Sequence, residues 1–113
     1  MSDDANYLSY IRDSIQLLEE RAAFGFDVFL HDDILQDAVL RRLETLADAC
    51  GQLSPELKSR HPEILWRDII DFRNRVAHGY LHVDLEIVWR IIVIDIPALK
   101  VVVAEELDVL GQS

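Results

Sequence analysis

"DLEIVWRIIVIDIPALK", residues 84–100, decides the fold. Its β-branched run from Ile91 to Ile94 favours a strand on propensity alone. The apolar run is long and carries no hairpin punctuation, so it predicts a helix. Asp84 supplies the N-cap. Leu85, Ile87, Val88, Trp89, Ile91, Ile92, Val93 and Ile94 then make that helix apolar nearly all round. Such a helix is covered on more than one side. In a chain of 113 residues a second copy of the chain is the expected extra cover. Asp95 and Pro97 predict a cap and a first-turn proline, so the helix kinks or restarts there and continues to about Leu110.

Working back along the chain, Pro62 opens a third helix that reaches Ala77, with Gly79 as its stop. Ser54-Pro55 predicts a short helix over 55–60. A second helix starts near Asp32 or Asp33 and runs to about Leu53. Its apolar face is Ile34, Ala38, Leu40, Leu43, Leu46, Ala47 and Cys50. The first helix spans about Asp4 to Ala23, with Tyr7, Leu8, Ile11, Ile15, Leu18 and Ala22 recurring at threes and fours. Gly25 ends it, and residues 24–30 are expected to be an apolar loop folded against the bundle. The prediction is one all-α domain over 1–113: an up-and-down bundle of four main helices.

Composition narrows the function. Half of the residues are apolar, which excludes a disordered chain. The one cysteine, Cys50, excludes an internal disulfide framework and fits a reducing cytoplasm. The N-terminal stretch has no basic segment followed by an apolar one, so no signal peptide is expected. The apolar stretch 85–110 is interrupted by Arg90, Asp95, Lys100, Glu105 and Glu106, so no membrane span is expected.

The net charge of −10 weighs against generic nucleic-acid binding, and DNA is not an expected partner. The charge is uneven. Residues 1–40 hold nine acids against two bases, net −7; residues 41–75 hold six acids against seven bases, net +1; residues 76–113 hold six acids against two bases, net −4. An anionic ligand should therefore meet the middle of the chain.

That middle ends on "DFRNRVAHGY", residues 71–80. On a helical wheel Leu65, Ile69, Phe72 and Val76 form a core stripe, and Trp66, Ile70, Arg73 and Ala77 form a second stripe beside it. Arg73 thus lies on a largely apolar surface and needs a carboxylate, a carbonyl or an anionic ligand. Asp71, Asn74 and Arg75 fall on the far side. Arg73 and His78 stand about 140° apart on a straight helix. They converge only if the helix unwinds at Gly79 or if two chains pair over one cleft.

Histidine exchanges protons near neutral pH. Arginine grips a phosphate and steadies charge building in a transition state. Asn74 can hydrogen-bond a ligand. The set suits RNA phosphodiester cleavage, in which the 2′-hydroxyl is the nucleophile and no metal or cofactor is required.

Arg73-Asn-Arg-Val-Ala-His78-Gly-Tyr80 resembles the R-x4-H-x-Y signature of HepT-like proteins, a branch of the HEPN superfamily. The flanks "HPEILWRDIIDFRNRVAHGY" and "VDLEIVWRIIVIDIPALK" are similar to the family's C-terminal half. The resemblance covers most of the chain and is most specific over 61–100. It implies a HEPN-like helical homodimer with the motifs at a shared cleft. It also implies a metal-independent ribonuclease, the toxin of a toxin–antitoxin pair, with RNA as substrate. A minimal nucleotidyltransferase antitoxin of the MntA type would move AMP from ATP to the motif tyrosine. Carried over, Arg73 and His78 are catalytic, Asn74 and Arg75 contact substrate, and Tyr80 is the AMPylation site.

Plainer roles stand beside these. Arg73 could form a structural ion pair with an acid on a neighbouring helix, and His78 could simply favour a helix C-terminus. The chain could also be a non-catalytic helical partner or substrate-binding module of a nucleotidyltransferase. His78 and His82 have a metal-ligand spacing, but Gly79 interrupts the helix that would align them, so no metal site is expected. His31 and His61 are expected to be structural or solvated, Cys50 a small buried hydrophobe, and Trp66 and Trp89 core or interface anchors. Arg41-Arg42 is expected on a solvated face.

Overall fold

A computed structural model of the chain describes residues 3–77 and 84–111. The chain is all-helical, and among the described residues there is no strand.

Helix α1 is Asp4–Ala22. Leu8, Ile11, Ile15 and Leu18 are all but fully buried along one stripe, as their spacing requires. The chain then turns at Gly25, whose φ of +95° lies where a side chain would be strained. The stretch expected to be a loop over 24–30 is instead largely a short helix, α2, Phe26–His31. Phe26 and Phe29 sit three apart on one side of it. Both meet the Trp89 ring, at 5.5 and 5.6 Å between centroids. That aromatic cluster gives six residues a reason to coil.

Helix α3 is Asp33–Gln52, capped by the Asp32 carboxylate, which accepts from the Leu35 amide at 3.0 Å. Val39, Leu43, Leu46 and Cys50 step by four, three and four along the buried face. Ile34, expected on that face, is 78% exposed. It lies five residues before Val39, about 140° out of phase. Burial pushes the Cys50 thiol up to about 12, so it is a small core hydrophobe rather than a nucleophile. Helix α4, Pro55–Ser59, follows its Ser54 cap.

The next helix does not open at Pro62. Helix α5 is Trp66–Ala77, and residues 61–65 form a turn. His61 and Ile64 point inward and are buried. The Trp66 indole N–H donates to the carbonyls of both Lys58 and His61 at 3.1 Å. Leu65 therefore lies outside the helix whose phase placed it in the core, and it is 67% exposed. Ile69 and Phe72 do pack on the core, and so does Trp66.

Residues 85–100 are helical throughout. Asp84 caps α6, Leu85–Arg90, by accepting from the amides of Glu86 and Ile87. The kink or restart expected at Asp95–Pro97 takes another form. A π-helical turn, Ile91–Asp95, runs directly into α7, Ile96–Val109, and the Ile96 amide donates to the carbonyl of Ile91, five residues back. Asp95 has helical dihedrals and makes no side-chain cap bond. Pro97 has no N–H for the carbonyl four residues back, and its ring crowds that carbonyl. Widening the preceding turn absorbs the misfit without breaking the rod.

Helix α1 packs against α3 and α7, α5 packs against α3, and α2 packs against α3. Val88, Ile92, Ile96, Leu99, Val103 and Leu107 face this core, while Ile87, Val93, Ile94 and Val101 remain exposed on the same rod. No helix among the described residues is long and apolar enough to cross a membrane.

Candidate functional site

Arg73 lies two turns into α5, on the side facing α3. Its Nε donates to Oδ1 of Asp48 at 2.5 Å, and its Nη1 reaches Oδ1 of Asn74 at 3.5 Å. The partner that the sequence left open is thus a carboxylate on a neighbouring helix. The pair is not buried: the side chains are 35% and 50% exposed. A bridge this open to solvent contributes under about 1 kcal/mol to stability. The guanidinium is accordingly oriented yet still reachable from solution.

Asn74 and Arg75 are both exposed, as their helical phase requires. Asn74 touches the arginine it follows. Arg75 stands about 200° round the helix from Arg73, so α5 by itself does not bring the two arginines together. His78 and Tyr80 lie outside the described residues, and so does His82. Among the described residues no group of three or more His, Cys, Asp or Glu side chains could hold a metal ion. Arg41 is exposed and pairs with Glu44, while Arg42 donates to the Tyr10 hydroxyl across to α1.

Beside α5 and the ridge formed by the π turn and α7 lies an apolar groove of about 220 Å³. Leu46, Ile64, Leu65, Ile69, Phe72 and Leu99 line it, with Glu63, Asp68 and Asp95 as its acidic groups. Exposed Ile94 and Val101 lie on the same ridge.

A second polar cluster, at the opposite end of α5, was not singled out by the sequence. Glu106 is buried on α7, and its carboxylate takes the Arg60 guanidinium at 2.7 and 3.3 Å. The same carboxylate meets Nε2 of His61 at 2.6 Å, and Nδ1 of His61 lies 3.4 Å from Glu63. The hydrogen bond from Arg60 holds Glu106 below the usual carboxylate range, against the opposing pull of burial and with help from His61. Burial lowers His61, but hydrogen bonds and charges from Glu106 and Glu63 outweigh it and leave His61 raised. Nearby, Asp4 accepts from the Ser54 amide at 2.9 Å and its hydroxyl at 2.6 Å. The cluster ties the turn before α5 to α7. The readable signal was Glu106 itself, three and four residues after the core positions Val103 and Val102. A carboxylate in that phase must have buried partners.

Comparison with known proteins places these residues in a family. The model of the family described as "Ribonuclease HepT-like" matches residues 11–106. The chain is 38% identical over 96 residues to a probable ribonuclease HepT of Thermococcus cleftensis, covering 84% of this chain and 87% of that protein. It is 32% identical over 103 residues to a putative RNase of Caldanaerobacter subterraneus, covering 90% of this chain and 92% of that protein. A gamma-glutamylcyclotransferase and putative RNase of Methanocaldococcus jannaschii is 36% identical over 106 residues, and there the chain spans only 48% of the relative. No solved structure matches the chain.

Proposed function

The chain belongs to the HepT-like ribonuclease family, and on that premise we propose that it is a metal-independent ribonuclease acting as the toxin of a toxin–antitoxin pair. The observation that carries the proposal is the arginine of the R-x4-H-x-Y pattern. It falls inside the family match, and its side chain is held on α5 by Asp48 while remaining 35% exposed.

His78 takes the proton from the ribose 2′-hydroxyl while water protonates the departing 5′-oxygen, or, in the reverse assignment, water takes the first proton and His78 supplies the second. The 2′-oxygen attacks phosphorus, the bond to the 5′-oxygen breaks, and a 2′,3′-cyclic phosphate remains. Arg73 neutralises the phosphate as charge builds on its oxygens. Asn74 and Arg75 hold the flanking RNA. Proton transfer and charge neutralisation suffice for this route without a metal.

A homodimer of up-and-down helical bundles, in the HEPN manner, completes the site. Support comes from the apolar groove and from Leu65, Ile94 and Val101, which stay exposed in the single chain. Pairing over α5 would put two Arg73–His78 sets on one cleft. Tyr80, two residues past His78, is the proposed acceptor of AMP from a nucleotidyltransferase antitoxin of the MntA type. The added phosphodiester would crowd the cleft and repel RNA.

Two experiments test this. In EDTA, purified protein should cut RNA, and Arg73→Ala and His78→Ala should each abolish cutting while remaining folded. Intact-mass measurement after incubation with ATP and the neighbouring gene's product should show added AMP on the parent protein and none on Tyr80→Phe. The Asp48 pair favours a second reading, in which Arg73 is structural and the bundle is a non-catalytic partner of a nucleotidyltransferase. Intact RNA after incubation in EDTA, together with complex formation with that enzyme, supports this second reading.

A further inference from the structure

We propose that Asp48 is the positioning residue for the Arg73 guanidinium, an inference that rests on the ribonuclease reading above. An arginine side chain on an exposed helix face explores many rotamers, and a phosphate must find it in one of them. Here two contacts restrict it. Asp48 takes the Nε edge at 2.5 Å, and Asn74 meets Nη1 at 3.5 Å. Among the described residues no acceptor reaches Nη2. The outer end of the fork is therefore the part presented to a ligand, which is the geometry that bidentate phosphate binding needs.

Asp48 is well placed to act as a fixed post. Its neighbours Ala47 and Ala49 are buried, and α3 packs against both α1 and α5. Its backbone thus belongs to the rigid core while its carboxylate reaches the surface. A stability role fits poorly, because both side chains are substantially exposed.

The charge of Asp48 gives the proposal a distinctive kinetic signature. A carboxylate beside Arg73 weakens the attraction for RNA in the ground state, while alignment helps only as charge builds on the phosphate. Removing it should lower kcat without raising KM.

The test uses the full chain in EDTA with a short fluorescent single-stranded RNA, comparing the parent protein with Asp48→Ala, Asp48→Asn and Arg73→Ala. Asp48→Ala should lose about tenfold or more in kcat, with KM unchanged or lower and Tm lowered by less than about 4 °C. Asp48→Asn retains an oxygen that can accept from Nε and should recover most of kcat. The proposal is overturned by a parental kcat in Asp48→Ala, by a loss expressed wholly as raised KM, or by an Asn variant no better than Ala. Arg73→Ala separates the two levels. If it still cuts RNA, or if the parent protein cuts none, the ribonuclease reading fails and takes this proposal with it. If it is inactive while Asp48→Ala is fully active, only the positioning role fails.

Discussion

The two ends of α5 hold their charges in opposite ways. Before its first turn, Glu106 and His61 are buried with a bidentate arginine over them. Two turns in, Arg73 and Asp48 form a single bond at the surface. A buried carboxylate stripped of its partners costs several kcal/mol, so the first cluster is committed to structure. An exposed pair contributes little, so its cation can serve a ligand at small cost to folding. The difference shows that an ion pair is read by its burial before its distance.

Breaking the buried cluster should have the largest effect. Glu106→Ala removes the acceptor of the buried His61 hydrogen bond and leaves a space on α7, and should destabilise the fold by about 2–3 kcal/mol in chemical denaturation. RNA cleavage per folded molecule should be retained, because the cluster lies away from Arg73. His61→Ala should cost about 1–3 kcal/mol, through the lost hydrogen bond and the space left behind.

The same cluster sets a pH dependence. Glu106 is lowered in the folded chain, so its contribution is present above its unfolded pKa and is lost as pH falls through the folded value. His61 is raised, so its contribution is complete below its unfolded pKa, near 6.5, and is lost as pH rises through the folded value. Stability should therefore peak between the carboxylate range and about pH 6.5, decline from there to the raised histidine value, and level off above it. His61→Asn should flatten the alkaline side of that profile in urea titrations. At the other end of α5, Asp48→Ala should shift stability by less than about 1 kcal/mol. A larger loss there would erase the contrast between the two ends.

Much of this was legible in the sequence. Periodicity placed α1 and α3 within a residue or so, and the Ser54-Pro55 and Asp84 signals placed α4 and α6, because each rests on local chemistry that the structure uses unchanged. The misses came where tertiary contacts outweighed a local rule. Trp89 draws Phe26 and Phe29 into a helix where apolar residues after Gly25 predicted a loop. His61 turns inward to Glu106 and delays α5 past Pro62. Pro97 is absorbed by a π turn that no dipeptide signal announces.

The candidate site was legible as a need before it was legible as a contact. Helical phase showed that Arg73 required a partner, but nothing local to α5 identifies Asp48, 25 residues earlier on another helix. His78 and Tyr80 lie outside the described residues, so the roles proposed for them rest on the sequence resemblance alone.

The most direct test of the central claim is the chemistry of the cut ends. RNA incubated in EDTA with the purified protein should yield fragments ending in 2′,3′-cyclic phosphate, and His78→Ala should yield none. Fragments ending in a 3′-hydroxyl, or cyclic ends produced equally well by His78→Ala, would contradict the account.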